Sequence, residues 1–407
     1  MIGRRIQFLR CEGQFARHSG QLVRRGGQFA TYCGQLVRRD GQFARYCGQF
    51  VQCCVLMMLC LGASSVRAEP YLAVQLGLKC GQCHVNPTGG GLRTTFGDVF
   101  AQTVLAAQHL DTGMDNWTGQ LGQYLRAGGD LRFDGSVTQA PNTKSVNQFA
   151  LEQTRIYMEA DLIPNRLLAY VDEQVAPGGA LNREAYVMYW SATHDWYLKA
   201  GQMYLPFGLR LQDQSALILT ATGINMTTPD QGVEFGWERG HWDAQFAVSN
   251  GTAGGAVTSN GKQSSGQLSY VQSVWRLGVA ANFNAQSGGS KSAYGIFGGL
   301  KTGPIAWLAQ AELTNDQSIA NGQGKQLATL LEANWLIARG NNLKITEEFL
   351  NPNRAVPNGE RTRWSLVYEL SPMQFVQIRT GLRYSDGIPQ DDSEHQRLYF
   401  VELHGFF

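Results

Sequence analysis

From about residue 120 onward the chain alternates between apolar and polar side chains. Ile305, Trp307, Ala309, Ala311 and Leu313 alternate with Ala306, Leu308, Gln310 and Glu312. Trp364, Leu366, Tyr368 and Leu370 alternate with Arg363, Ser365, Val367 and Glu369. Val376, Ile378, Thr380, Leu382 and Tyr384 alternate with Gln377, Arg379, Gly381 and Arg383. A period of two puts the first set of each segment on one sheet face and the second on the other. Segments of about ten residues, separated by Gly, Asn, Asp, Ser or Pro, suit strands that cross a bilayer with one face to lipid and one to a lumen. Sixteen strand cores start near residues 121, 148, 166, 183, 195, 231, 241, 265, 275, 292, 304, 326, 341, 361, 373 and 394, an even number suited to antiparallel closure. The pattern predicts an all-β fold, an antiparallel transmembrane barrel of about sixteen strands over 119–407. A soluble all-β domain is the competing reading. Low charge, and Tyr and Trp near strand ends, favour the barrel.

Upstream the period changes. Phe96, Val99, Phe100, Thr103, Val104 and Ala107 keep helical spacing and predict an amphipathic helix over Phe96–Leu110. It would belong to a small segment, 69–118, too short for an ordinary core and in need of a cofactor or a host surface. Before it, Val55–Ala63 is a short apolar core, followed by Val66 and Ala68 as small residues before Glu69. With basic residues upstream, 55–68 reads as a cleaved export signal, too short for a membrane-spanning helix. Residues 1–54 contain Gly-Gln at 13, 20, 27, 34, 41 and 48, a strict period of seven with no heptad seam. They are a basic surface-binding arm or the product of a misassigned start, and the export signal behind them favours the latter.

Charge sharpens this division. Of 407 residues only 16% are charged, and the formal net charge is +2. Residues 1–54 hold nine Arg against Glu12 and Asp40, so the remainder carries −5. A body of that charge with no basic stripe is unsuited to nucleic acid. In Gly201–Arg210, Arg210 is a candidate for an anion constriction, against the commoner fate of one solvated lumen charge among many. Glu332, Glu347, Glu348, Glu369, Asp391 and Asp392 are carboxylates for cations, or else parts of a solvated wall.

The candidate chemistry lies at Cys80-Gly81-Gln82-Cys83-His84. C-x-x-C-H is the attachment pattern of a c-type haem: two thiols form thioethers and the adjacent imidazole is an axial iron ligand. A dithiol redox pair, half a zinc site and chance are the alternatives. No second paired Cys or His spacing follows for zinc. Six of the eight Cys precede Ala68, so a processed chain keeps only Cys80 and Cys83. His84 is the expected axial ligand, with Met114 or His109 as weaker candidates for the distal position. Asn86-Pro-Thr-Gly-Gly-Gly91 is either a plain turn or a run whose glycines let backbone pass close to a flat cofactor.

The combination resembles a known family. One C-x-x-C-H just after an export signal, then Phe96-Gly97, a short helix and a roughly sixteen-strand barrel are similar to the outer-membrane cytochrome–porin fusions, of which the iron-oxidising outer-membrane cytochromes are the best known. The last stretch, Tyr399–Phe407, resembles the terminal strand of bacterial outer-membrane barrels, and the region after Gly201 resembles the inserted loop of phosphate-type porins. Asn86–Gly91 departs from the iron-oxidising pattern. The resemblance implies one covalent haem c on Cys80 and Cys83, with His84 on the iron, acting as a plug in or under the barrel. It implies electron transfer across the bacterial outer membrane between a periplasmic cytochrome or other carrier and an extracellular donor or acceptor, with extracellular iron oxidation as one form. A passive diffusion porin for anions or small solutes, with a structural haem segment, is the alternative. A redox enzyme acting on a diffusible substrate is a third reading.

Processing is directly testable. Amino-terminal sequencing of membrane-extracted protein should return Glu69 as the first residue; recovery of the Gly-Gln repeats in the mature chain would contradict both the signal and the misassigned start.

Overall fold

The computed structural model describes residues 69–407 apart from 112, 114, 259, 287–288 and 318–323. The expected extension 1–54, the export signal 55–68 and the candidate Met114 lie outside the described residues. Sixteen antiparallel strands close into one barrel. They are β1 Leu125–Gln139, β2 Val146–Ile163, β3 Leu167–Ala176, β4 Leu181–Trp190, β5 Trp196–Met203 and β6 Asp230–Arg239. Next come β7 Trp242–Ser249, β8 Gln263–Val271, β9 Trp275–Gln286, β10 Gly289–Thr302 and β11 Ile305–Asp316. The last are β12 Gly324–Ala338, β13 Asn341–Asn351, β14 Arg361–Leu370, β15 Val376–Asp386 and β16 Gln396–Phe406. Every start lies within four residues of its sequence expectation. The largest offset is at β1, where residues 121–124 form a bend instead.

Each strand pairs with its sequence neighbours, and β1 closes on β16 with Leu131 opposite Gly405 and Phe133 opposite Leu403. Connections of two to five residues join the strands at one end, and the longer loops, including 204–229, lie at the other. The alternation holds: Trp307, Trp364, Leu366, Val401 and Leu403 face outward, while Gln310, Glu312, Arg363, Glu369 and His404 are buried in the lumen. Trp196, Trp242, Trp275, Trp307 and Trp335 lie at the short-turn ends of their strands and are exposed outward, as an interfacial aromatic girdle is. Leu370, expected on the lipid face, is buried. It adjoins Ser371, whose carbonyl accepts a hydrogen bond from Ala107.

Two pieces of the chain fill part of the lumen. A helical segment enters from the short-turn end: α1 (Pro70–Leu76), α2 (Cys80–Cys83) and α3 (Thr95–Phe100), the last continued by one π-helical stretch, Ala101–Leu105. Lys301 Nζ donates to the Gln75 carbonyl at 2.8 Å and Lys79 Nζ to the Trp242 carbonyl at 2.7 Å, fastening α1 and α2 to short-turn strand ends. Val74 meets Gly299, where an added Cβ would collide with its methyl group. From the opposite end, residues 204–229 fold inward with α4 (Leu217–Thr222). Tyr71, Leu72, Val74, Phe100 and Leu105 form one apolar core with Leu205, Phe207 and Ile218 of that loop and with lumen residues Ala293, Ala306, Leu308, Ala328 and Leu330.

The expected helix Phe96–Leu110 is corrected in two respects. It stops at Leu105, because Ala107 N–H and Gln108 N–H donate to the Ser371 and Pro372 carbonyls instead of continuing the helix. Its buried face is Gly97, Phe100, Ala101 and Leu105, whereas Phe96 and Val104 are exposed. Gly97 sits against the Cys83 carbonyl with no room for a Cβ, so the close contact rolls the helix away from the face its apolar spacing suggested.

A charge on the outer wall is the sharpest test of which face meets lipid. Leu403→Lys puts an ammonium on the bilayer side near the short-turn interface, at a cost below the ~2–4 kcal/mol of mid-depth, and it should lower the yield of heat-modifiable barrel in outer-membrane fractions. Thr138→Lys, on the lumen face of the adjoining β1, should leave it intact.

Candidate functional site

The C-x-x-C-H residues form a single helical turn and its exit. His84 N–H donates to the Cys80 carbonyl at 3.0 Å, and Lys79 N–H is capped by Gln82 Oε1 at 2.9 Å. His84 then pairs with Arg93 across a small hairpin, closed by Val85 N–H to the Leu92 carbonyl at 3.0 Å. The hairpin encloses the Asn-Pro-Thr-Gly-Gly-Gly run. Asn86 Oδ1 accepts from the Thr88 amide and hydroxyl at 3.1 and 2.9 Å. Gly89, Gly90 and Gly91 have φ of 90°, 84° and 67°, values that favour glycine. A Cβ on Gly91 would strike the Tyr170 hydroxyl, which accepts from Leu92 N–H at 3.0 Å.

Asn86 anchors the hairpin to the wall. Its Nδ2 donates to both carboxylate oxygens of Glu184 at 2.8 and 3.0 Å, and its Oδ1 accepts from Lys199 Nζ at 3.3 Å. Lys199 also pairs with Glu234 at 2.9 Å, and Tyr197 donates to Glu234 at 2.7 Å. Asn86, Glu184, Lys199 and Glu234 are all 0% exposed, so buried charges meet each other and the hairpin instead of water. Arg210 fastens the other side, donating to the Thr88 carbonyl and hydroxyl at 3.0 Å each. It therefore holds the hairpin instead of standing alone in an open constriction.

Cys80, Cys83 and His84 line one lumen cavity of about 710 Å³, with Gly89–Gly91, Arg93, Phe100, Leu105, Arg210 and Met226 among its other walls. That volume lies in the ordinary range for ligand and cofactor sites. The donors fit a covalently held haem. Burial, then the Arg93 guanidinium, lower His84 to about 4, so its imidazole is neutral with a lone pair available near neutral pH. His84 Nδ1 is buried with no hydrogen-bond partner. Burial raises the Cys80 thiol and pushes Cys83 up to about 11. Catalytic dithiols need the opposite, a thiolate stabilised near neutral pH.

The other sequence candidates fall elsewhere. His109 does not line this cavity; its Nδ1 faces the Gln102 carbonyl at 3.4 Å. Glu332 and Glu369 approach Lys344 at 3.9 and 3.5 Å, and Glu348 pairs with Arg363 at 2.5 Å. Glu347 points outward, and Asp391 and Asp392 lie exposed in the β15–β16 loop. Among the described residues no cluster of three or more His, Cys, Asp or Glu is placed to hold a cation. Glu184, Lys199 and Met226 were not legible as site residues, being distant in sequence and carrying no local motif.

No known sequence family and no curated protein matches the chain. Solved structures with a similar fold include the anion-selective porin from Comamonas acidovorans, with 11% identity and a TM-score of 0.54 over 70% of this chain and 99% of that one. OprB of Pseudomonas putida has 8% identity and a TM-score of 0.56 over 70% of this chain and 94% of its own. The outer-membrane channel DcaP of Acinetobacter baumannii has 12% identity and a TM-score of 0.54 over 70% and 97%. At these identities the likeness is one of fold: a sixteen-strand barrel of the outer-membrane porin kind.

The anchor makes a prediction. Asn86→Ala removes the amide that bridges buried Glu184 and Lys199, which keep Tyr204 N–H and Glu234 as partners, at a cost of about 0.5–1.5 kcal/mol for each lost hydrogen bond. Hydrogen exchange should rise across 80–93 while the strands and heat-modifiable migration stay unchanged; equal protection in both proteins would remove Asn86 as the anchor.

Proposed function

We propose that the chain is an exported outer-membrane barrel that carries one covalent haem c in its lumen and passes electrons between a periplasmic carrier and a donor or acceptor outside the cell. The supporting observation is that Cys80, Cys83 and His84 all line one cavity inside the barrel. When bound, the haem supplies a one-electron ferrous–ferric couple. The chain holds it through Cys80 and Cys83 and offers it the neutral His84 imidazole. Gly89 and Gly91 let the hairpin lie close to Cys80 and Tyr170, and Asn86 and Arg210 fix it against the wall. With the short turns on the periplasmic side, as in bacterial barrels, the segment plugs the periplasmic mouth and the loop 204–229 reaches it from outside. Bilayer lipid is the partner of the outer face.

A second reading is a passive pore for anions or small solutes, with the lumen segment as a structural plug. The fold likeness to diffusion channels supports it. The shared core of α1, α3 and the loop 204–229 narrows the lumen on one side, while charged wall residues such as Asp130, Glu152 and Arg379 line the cavity beside it.

Vesicles separate the two. With the intact protein, an external membrane-impermeant donor should reduce an enclosed dye. Cys80→Ala with Cys83→Ala should keep normal barrel mobility, because neither residue belongs to a strand, and should lose this transfer. Equal transfer by both proteins, or solute flux without electron transfer in the intact one, would favour the passive pore.

A further inference from the structure

Among the cavity's side chains, few carry a nitrogen or sulfur suited to iron. Lys79 Nζ is spent on the Trp242 carbonyl at 2.7 Å. His404 has both ring nitrogens engaged, Nδ1 with Gln377 at 2.6 Å and Nε2 with Asp130 at 2.7 Å. Met226 is the cavity's methionine among the described residues, and a thioether has no strong hydrogen bond to give up. Its position is set by the inserted segment. Met226 N–H donates to Gln214 Oε1 at 2.8 Å, and the adjoining Asn225 turn is closed by Thr227 N–H at 2.7 Å. Upstream, Ser215 is tied to the wall by Arg363 at 2.9 Å, and Asp213 pairs with Arg383.

Gly90 connects this sulfur to the motif. His84, Gly90 and Gly91 line the same cavity as the Met226 thioether. A Cβ added to Gly90 would stand 3.3 Å from Met226 Sδ. Gly90 therefore stands beside the thioether within the hairpin that begins at His84, and its missing side chain leaves the sulfur room. We infer that Met226, carried in by the loop from the opposite mouth of the barrel, is the distal axial ligand of the haem. The inference rests on the haem reading above. Ligation by His and Met favours the ferrous state relative to nitrogen ligands on both sides. It would also make the inserted loop a part of the redox centre.

Absorption spectroscopy of the purified full-length protein tests this without an activity assay. The ferric wild type should be low-spin and show the near-infrared sulfur-to-iron charge-transfer band, a readout that requires no variant. Met226→Leu should lose that band, become high-spin and bind carbon monoxide when reduced, with unchanged covalent haem on a denaturing gel. Met226→His should restore a low-spin spectrum at a lower midpoint potential. A wild type with covalent haem but no sulfur band, or a Met226→Leu spectrum identical to wild type, overturns the assignment and leaves the haem reading standing. A wild type with no covalent haem overturns both.

Discussion

Closure of the sheet is the constraint on which everything else depends. Hydrocarbon offers no partner to a backbone N–H, so a strand that crosses it must be paired on both edges. Here β1 and β16 meet that demand by pairing with each other. The seam is also where the lumen segment docks. Gly129 and Phe407 exchange backbone hydrogen bonds at 3.0 and 3.1 Å, and a Cβ on the adjacent Gly128 would collide with Leu92. Arg93 stacks over Phe406 at 4.6 Å. Because Arg93 also pairs with His84 across the hairpin, the carboxyl-terminal strand helps to place the C-x-x-C-H turn.

Inside the closed wall, buried charge decides where each inserted piece settles. Glu69 at the start of α1 pairs with Lys344, Asn86 with Glu184 and Lys199, and Asp213 with Arg363 and Arg383. An ionised group buried among protein atoms is costly unless paired, and breaking such a pair costs more than the pair itself contributes. The wall charges therefore act as addresses: one for α1, one for the hairpin and one for the loop 204–229. Apolar burial of Val74, Leu205, Phe207 and Ile218 then fills the space between them.

These two layers of packing produce the candidate site. The segment from the short-turn end delivers two thiols and an imidazole. The loop from the other end delivers Arg210 and Met226. Neither piece makes the cavity alone, so the site exists only when both are seated.

The amino-acid sequence by itself determined the wall. A strand's side chains alternate with a period of two, so Ile305–Leu313, Trp364–Tyr368 and Tyr399–Phe407 announced both their conformation and their outward face from local order alone, whereas Leu370 at a strand end did not. Cys80, Cys83 and His84 stood out for a similar reason, because they form a local motif of fixed spacing, and the structure places all three on one cavity. The buried face of the helix after Phe96 was not legible. It is set by the contact of Gly97 with the Cys83 carbonyl and by Ala107 finding Ser371, and spacing within the helix contains neither partner. Asn86 could be read only as a turn residue until Glu184 and Lys199, about a hundred positions away, stood beside it. Met226 carries no motif at all. Only the tertiary structure brought its sulfur to Gly90, because barrel closure and the inward fold of 204–229 set distances that no local pattern of side chains encodes.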